Sequence, residues 1–159
     1  MPPPFDTDLA KELSEITTSL EAMYGNGEYC FENNECFDLE GFETIMDISR
    51  NEDELLRAWS GWHEVGKPMK PLYLRMVEIG NKGSIDLGYD GLDDLWFSKY
   101  DMPKEEFLSE IDRVLDEVKP LYEALHCHVR DSLNKEYGDG IVSKTGPLPA
   151  HILLSLIHI

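Results

Sequence analysis

Apolar residues recur along this chain mostly at steps of three and four. Leu9, Leu13, Ile16, Leu20 and Met23 form one helical face, with Asp6 or Thr7 placed to cap its start and Gly25 and Gly27 to end it. Residues 25–38 read as a loop. A second helix is predicted over Leu39–Ser49, burying Leu39, Phe42, Ile45 and Met46. Asn51 and Glu54 have the spacing of an N-cap and its third helical residue, and open a third helix that runs to about Val65. Leu72, Met76 and Ile79 set the inward face of a fourth, for which Pro68 and Pro71 are tolerated in the first turn. A turn at 86–94 leads into a short helix through Trp96 and Tyr100. The longest pattern starts near Pro103 and holds nine positions: Phe107, Ile111, Val114, Val118, Leu121, Leu125, Val129, Leu133 and Tyr137. Pro120 lies inside it, where the missing N–H predicts a kink. Strand signals are weak, so the fold class predicted is all-α.

Composition sharpens this picture. A chain of 159 residues with 42% apolar content can bury a real core. Thirty-two acids against fourteen bases leave a net charge of −18, spread over most of the chain. Such a surface repels phosphate backbones and anionic headgroups, so no nucleic-acid partner is expected. Met1 is followed by "PPPF", without a basic or apolar leader segment, so no signal peptide is read in this chain. The apolar run Ile152–Ile159 is too short for a membrane-spanning segment.

Several groupings resemble chemical sites and fail on geometry. His126 and His128, at i and i+2, point about 200° apart on a helix and cannot share a metal; one buried and one exposed histidine is the expectation. His151 and His158 are two turns apart, about 10 Å, which is too far for shared ligation. "DLGYDGLDDLWF" (86–97) resembles a calcium loop but has Gly88 and Phe97 at ligand positions. Trp59 and Trp62 have core-packing spacing. Cys30 and Cys36 enclose "FENNE", a spacing that fits neither zinc nor C-x-x-C redox motifs. Free thiols and a small-loop disulfide both remain open at this point.

Three stretches, "SRNEDELLRAWSGWHEVGKPMKPLY" (49–73), "KPLYEALHCHVRDSLNKEYGD" (119–139) and "SKTGPLPAHIL" (143–153), together resemble the N-terminal part of the angiotensin-converting enzyme family of zinc peptidyl-dipeptidases. The Tyr24–Gly25 pair before "CFENNEC" fits the same pattern, and "YGDGIVSKTG" is similar to the arthropod-type wording. The resemblance implies an all-α, deeply clefted peptidase fold of which this chain is the N-terminal helical part, and an extracellular or membrane-anchored ectodomain. It implies a Cys30–Cys36 disulfide; Cys127, left without a family partner, is read as a buried thiol. It implies peptide substrates for the parent, from whose C-termini dipeptides are removed.

The family's zinc helix, H-E-x-x-H, is missing from this chain. No catalytic and no metal-ligating residue is therefore assigned, and zinc is expected only in the parent. Glu40 in "CFDLEG" is similar to a family glutamate near the S1′ or S2′ pocket; an exposed first-turn acid is the equal alternative. Phe97 in "WFSKY" takes the place of the chloride-site arginine of vertebrate members, which makes chloride dependence through that position doubtful. Wording close to the family ends at Leu153. The expectation is a peptidase portion over 1–153 followed by an aberrant tail over 154–159, inactive alone. The alternative is a stand-alone acidic helical binding module without catalysis.

Overall fold

The computed structural model describes residues 1–153. In chain order the elements are α1 (Thr7–Gly25), β1 (Glu28–Cys30), β2 (Cys36–Asp38), α2 (Leu39–Ile48), α3 (Glu52–Gly66), α4 (Met69–Asp86), α5 (Leu92–Phe97), α6 (Lys104–Tyr137) and a 3-10 turn at Ala150–Ile152. The fold is all-α apart from one two-stranded antiparallel hairpin. Among the described residues no helix is long and apolar enough to cross a membrane. The expected tail, 154–159, lies outside the described residues.

The chain divides into two compact units. The first takes in residues 1–25 and 68–117. Here the 3–4 pattern of α1 buries Leu13, Ile16 and Leu20 against Ile79, with Leu72 and Met76 of α4 packed alongside. Asp6 caps α1, accepting the N–H groups of Asp8 (2.9 Å) and Leu9 (3.2 Å). Arg75 on α4 grips Glu12 on α1 with two hydrogen bonds, of 2.7 and 2.9 Å. The N-terminal segment is tied down as well, because Phe5 N–H donates to Asp86 Oδ2 at 2.8 Å. A Cβ on Gly83 would collide with the Pro2 carbonyl oxygen, so only glycine allows the approach. Asn81 Oδ1 accepts Leu92 N–H at 2.9 Å and so ties the start of α5 to α4.

The second unit takes in residues 26–67 and 118 onward. Its core is Phe42 and Met46 of α2, Leu55, Ala58 and Trp62 of α3, and Val142 and Ile152. The predicted Asn51 cap is present, and Asp38 adds one the sequence reading did not name. Asn51 Oδ1 accepts Glu54 N–H at 3.1 Å, and Asp38 Oδ1 accepts Gly41 N–H at 2.9 Å.

Two sequence expectations change here. The segment 25–38 is not a plain loop but contains the hairpin, in register Glu28↔Asp38, Tyr29↔Phe37 and Cys30↔Cys36. Tyr29, Phe31 and Phe37 give it an apolar face that packs on the core around Phe42. The other change concerns α6. It stays helical through Pro120, yet no residue of it is buried. Ile111, Val114, Val118, Leu121 and Leu125, the middle of the predicted stripe, are all exposed. The pattern is that of a core helix, but its middle lacks a covering partner among the described residues.

Candidate functional site

The structure joins Cys30 and Cys36 by a disulfide across the last pair of the hairpin register. The bridge closes a tight turn in which Asn34 takes a positive φ of 62°, a conformation asparagine tolerates. Glu28, Cys30 and Cys36 form the one potential metal cluster among the described residues. Both sulfurs are consumed by their mutual bond, so the cluster does not fit a metal. The chain's single H-E dipeptide, His63–Glu64, is followed by Lys67 where a second histidine would be needed. Lys67 Nζ instead donates to Glu64 Oε1 at 2.5 Å. No residue set described here fits a catalytic zinc.

Glu40 lies in the first turn of α2, beside the hairpin end, and is exposed. Its backbone carbonyl accepts the Thr44 hydroxyl at 2.8 Å. The aromatic cluster of this unit packs closely: a Cβ on Gly61 would meet the rings of Phe31, Tyr29 and Phe42 at 3.0–3.1 Å. Arg57 sits 3.9 Å above the Phe31 ring and reaches Asn33 Oδ1 at 3.2 Å. Glu40 is thus an exposed acid that lies in sequence between Phe37 and Phe42, two rings packed against each other.

Phe97 closes α5 in the other unit. Its ring is 5.4 Å from Phe107 and 6.1 Å from Tyr100, centroid to centroid. Lys104 Nζ lies 5.3 Å from the Phe97 ring centroid but donates to Asp93 Oδ2 at 2.6 Å. That hydrogen bond holds the Asp93 carboxyl below its usual range and pushes the Lys104 amine up. The position is thus aromatic, and its nearby cation is already paired.

The histidines separate as the helical geometry requires. His126 is half-buried and His128 exposed, so the expectation of one buried member is only half met. Cys127 is exposed, not buried, because its stretch of α6 is uncovered. A cavity of about 280 Å³ opens beside it, lined by Tyr122, Glu123, His126, Cys127, Arg130 and Lys144. Sequence reasoning missed this grouping, since Lys144 comes from the connection after α6 and no spacing rule brings it there. It also missed the pairing of buried His151 with Glu52 at 2.8 Å.

Comparison with known proteins adds an independent line. The family model for Angiotensin-converting enzyme matches residues 3–157. Angiotensin-converting enzyme-like protein Ace3 of Mus musculus is 36% identical over 144 residues, 89% of this chain and 19% of that protein. Angiotensin-converting enzyme of Bos taurus is 36% identical over 145 residues, 90% of this chain and 11% of the relative. The Oryctolagus cuniculus enzyme is 35% identical over 156 residues, 94% of this chain and 12% of its own length. The chain spans between about a tenth and a fifth of the length of these curated relatives.

Proposed function

The chain belongs to the angiotensin-converting enzyme family, and from that premise we propose that it is the N-terminal portion of an arthropod-like zinc peptidyl-dipeptidase. The parent removes C-terminal dipeptides from peptides outside the cell, as a secreted or membrane-anchored ectodomain. Its zinc is held by residues that this chain does not contain, and this portion alone is inactive. One observation carries the reading: the family match runs over residues 3–157, while no H-E-x-x-H occurs in the sequence. Metal-activated water is the family's chemistry, and without three protein ligands no such water can be held.

Within that reading, residues 1–153 supply helices that wall the cleft, and Glu40 marks the edge of a substrate pocket. An exposed carboxylate is the right group to meet a cationic or hydrogen-bond-donating substrate side chain. Phe97 removes the chloride-site arginine, so chloride does not act through this position. Residues 154–159 form an aberrant ending. The family match reaches residue 157, so the departure is one of wording after Leu153 rather than a clean boundary.

Sequencing independent transcripts from the source tests this. A frame that continues after Leu153 into an H-E-x-x-H helix supports the reading. Transcripts that all stop after Ile159 overturn it in favour of a stand-alone acidic helical module.

A further inference from the structure

The outer face of the hairpin gathers three groups of the kind that hold a metal. Side chains alternate along a strand, so Glu28 and Cys30 point one way and Tyr29 the other. On the second strand Cys36 faces Cys30 in register, while Phe37 turns with Tyr29 toward the core. Glu28 Oε1 lies 3.6 Å from Cys30 Sγ, and the ligand atoms of Glu28, Cys30 and Cys36 all lie within 4.8 Å of one another. All three residues are exposed. With the disulfide in place, both sulfurs are taken up by their mutual bond.

The placement of the two cysteines does not depend on that bond alone. Phe31 N–H donates to the Glu35 carbonyl and Asn34 N–H to the Phe31 carbonyl, each at 2.9 Å. Asn33 Nδ2 donates to Glu35 Oε2 at 2.6 Å, and Arg57 of α3 donates to both of these side chains from outside the turn. The aromatic face fixes the other side of the hairpin. Cys30 and Cys36, with Cα atoms 3.9 Å apart, are therefore held as neighbours when the sulfurs part. Two thiolates on a tetrahedral zinc lie about 3.8 Å from each other, given Zn–S bonds of about 2.3 Å. Parallel side chains in this register give that spacing.

We propose that the hairpin is a redox-gated site for a soft divalent cation, zinc or cadmium, closed by the Cys30–Cys36 disulfide and opened by its reduction, with Cys30, Cys36 and Glu28 as ligands. A dithiol reductant opens it. The two thiols of the reductant join as a disulfide, and their two electrons and two protons pass to Cys30 and Cys36 as the bond between them breaks. The cation then displaces one proton from each thiol and forms two metal–sulfur bonds, and Glu28 adds a carboxylate oxygen. Thiolate ligands select such cations over magnesium and calcium. The net charge of −18 draws every cation to the surface and does not make that selection. The inference rests on the hairpin alone and is independent of the proposed parent enzyme.

The test uses the full chain carrying Cys127→Ser, so that the third thiol plays no part. The chain is reduced with dithiothreitol, freed of reductant without air, and titrated with cadmium while the ultraviolet thiolate-to-cadmium band is followed. The oxidised chain, titrated alike, should show no band. The reduced chain should bind one ion as a monomer and release two protons per ion at neutral pH. Zinc should compete with cadmium, and magnesium should not. Glu28→Gln should weaken cadmium binding at least roughly tenfold, the lower end for loss of a group that supports a metal site. Glu43→Gln, at an exposed acid on α2, should leave it unchanged. Unfolding the reduced chain in urea should weaken binding too, because the register is lost. No band in the reduced chain, an ion shared between two chains, equal affinities for the Glu28→Gln and Glu43→Gln chains, or an affinity that survives unfolding overturns the proposal.

Discussion

His151 Nε2 donates to Glu52 Oε1 at 2.8 Å, joining the start of α3 to a turn 99 residues later in the chain. His151 is buried and the Glu52 side chain is only 28% exposed, so the contact is shielded from water on most sides. It docks the Ala150–Ile152 turn beside Ile152, which fills the core of the second unit. Removing either partner leaves a polar group with its desolvation uncompensated, at a cost of about 1–3 kcal/mol. Glu52→Ala and His151→Ala should each lower the urea midpoint followed by Trp59 and Trp62 fluorescence. The double variant should cost less than the sum of the two. Strict additivity would show that the contact contributes nothing.

In the first unit, the hydrogen bond and charge of Arg75 hold the Glu12 carboxyl below its ordinary range. Asp86 is lowered in the same way, by Lys82 and by the Phe5 N–H. A carboxylate with a depressed folded pKa stabilises the fold fully above its unfolded value and loses that contribution as pH falls through the folded one. The tethers of α1 and the N-terminal segment should therefore hold above about pH 5 and weaken below about pH 4. Thermal melts across this range should fall with acid in the unaltered chain. The fall should be shallower in Arg75→Met, where Glu12 has no partner to lose.

Gly61 tests the packing of the aromatic cluster on α3. A methyl group there meets three aromatic rings at 3.0–3.1 Å, and those rings are themselves packed against one another. Gly61→Ala should destabilise the second unit by about 1–3 kcal/mol through overpacking, despite alanine's better helix propensity. Gly66→Ala, where nothing lies within 4 Å, is the control and should cost far less. Equal midpoints for the two variants would show that the rings give way freely.

The Cys30–Cys36 bridge closes a short loop with a sequence separation of 6. Loop-closure entropy assigns it about 2 kcal/mol. Cys30→Ser with Cys36→Ser should lose about that amount in denaturant unfolding. The hairpin should persist, because its aromatic face packs on the core independently of the sulfurs. Loss of the Tyr29 and Phe37 contacts in the variant, read by NMR, would show instead that the bridge holds the hairpin.

The helices were legible because each carries its own signal. The 3–4 steps of α1, the Asn51 cap and the Asp6 cap are local features, and each appears where its residues predict. The hairpin was hidden because its strands are three residues each, too short for alternation to register. Cys127 was misplaced for a different reason. A 3–4 stripe shows which face of α6 is apolar, but not whether anything covers it. The His151–Glu52 pair and the Lys144 cavity depend on where the chain after α6 returns, which no periodicity encodes. Family wording, not spacing, pointed to the pairing of Cys30 with Cys36.

The central proposal is that this chain carries a helical part of the family's fold but not its zinc chemistry. The measurement that tests it most directly is hydrolysis of a blocked tripeptide by the purified chain supplied with one equivalent of zinc, with release of the C-terminal dipeptide followed against a chelator-treated control. The account predicts no chelator-sensitive release. Dipeptide release that depends on zinc and stops on chelation would contradict it.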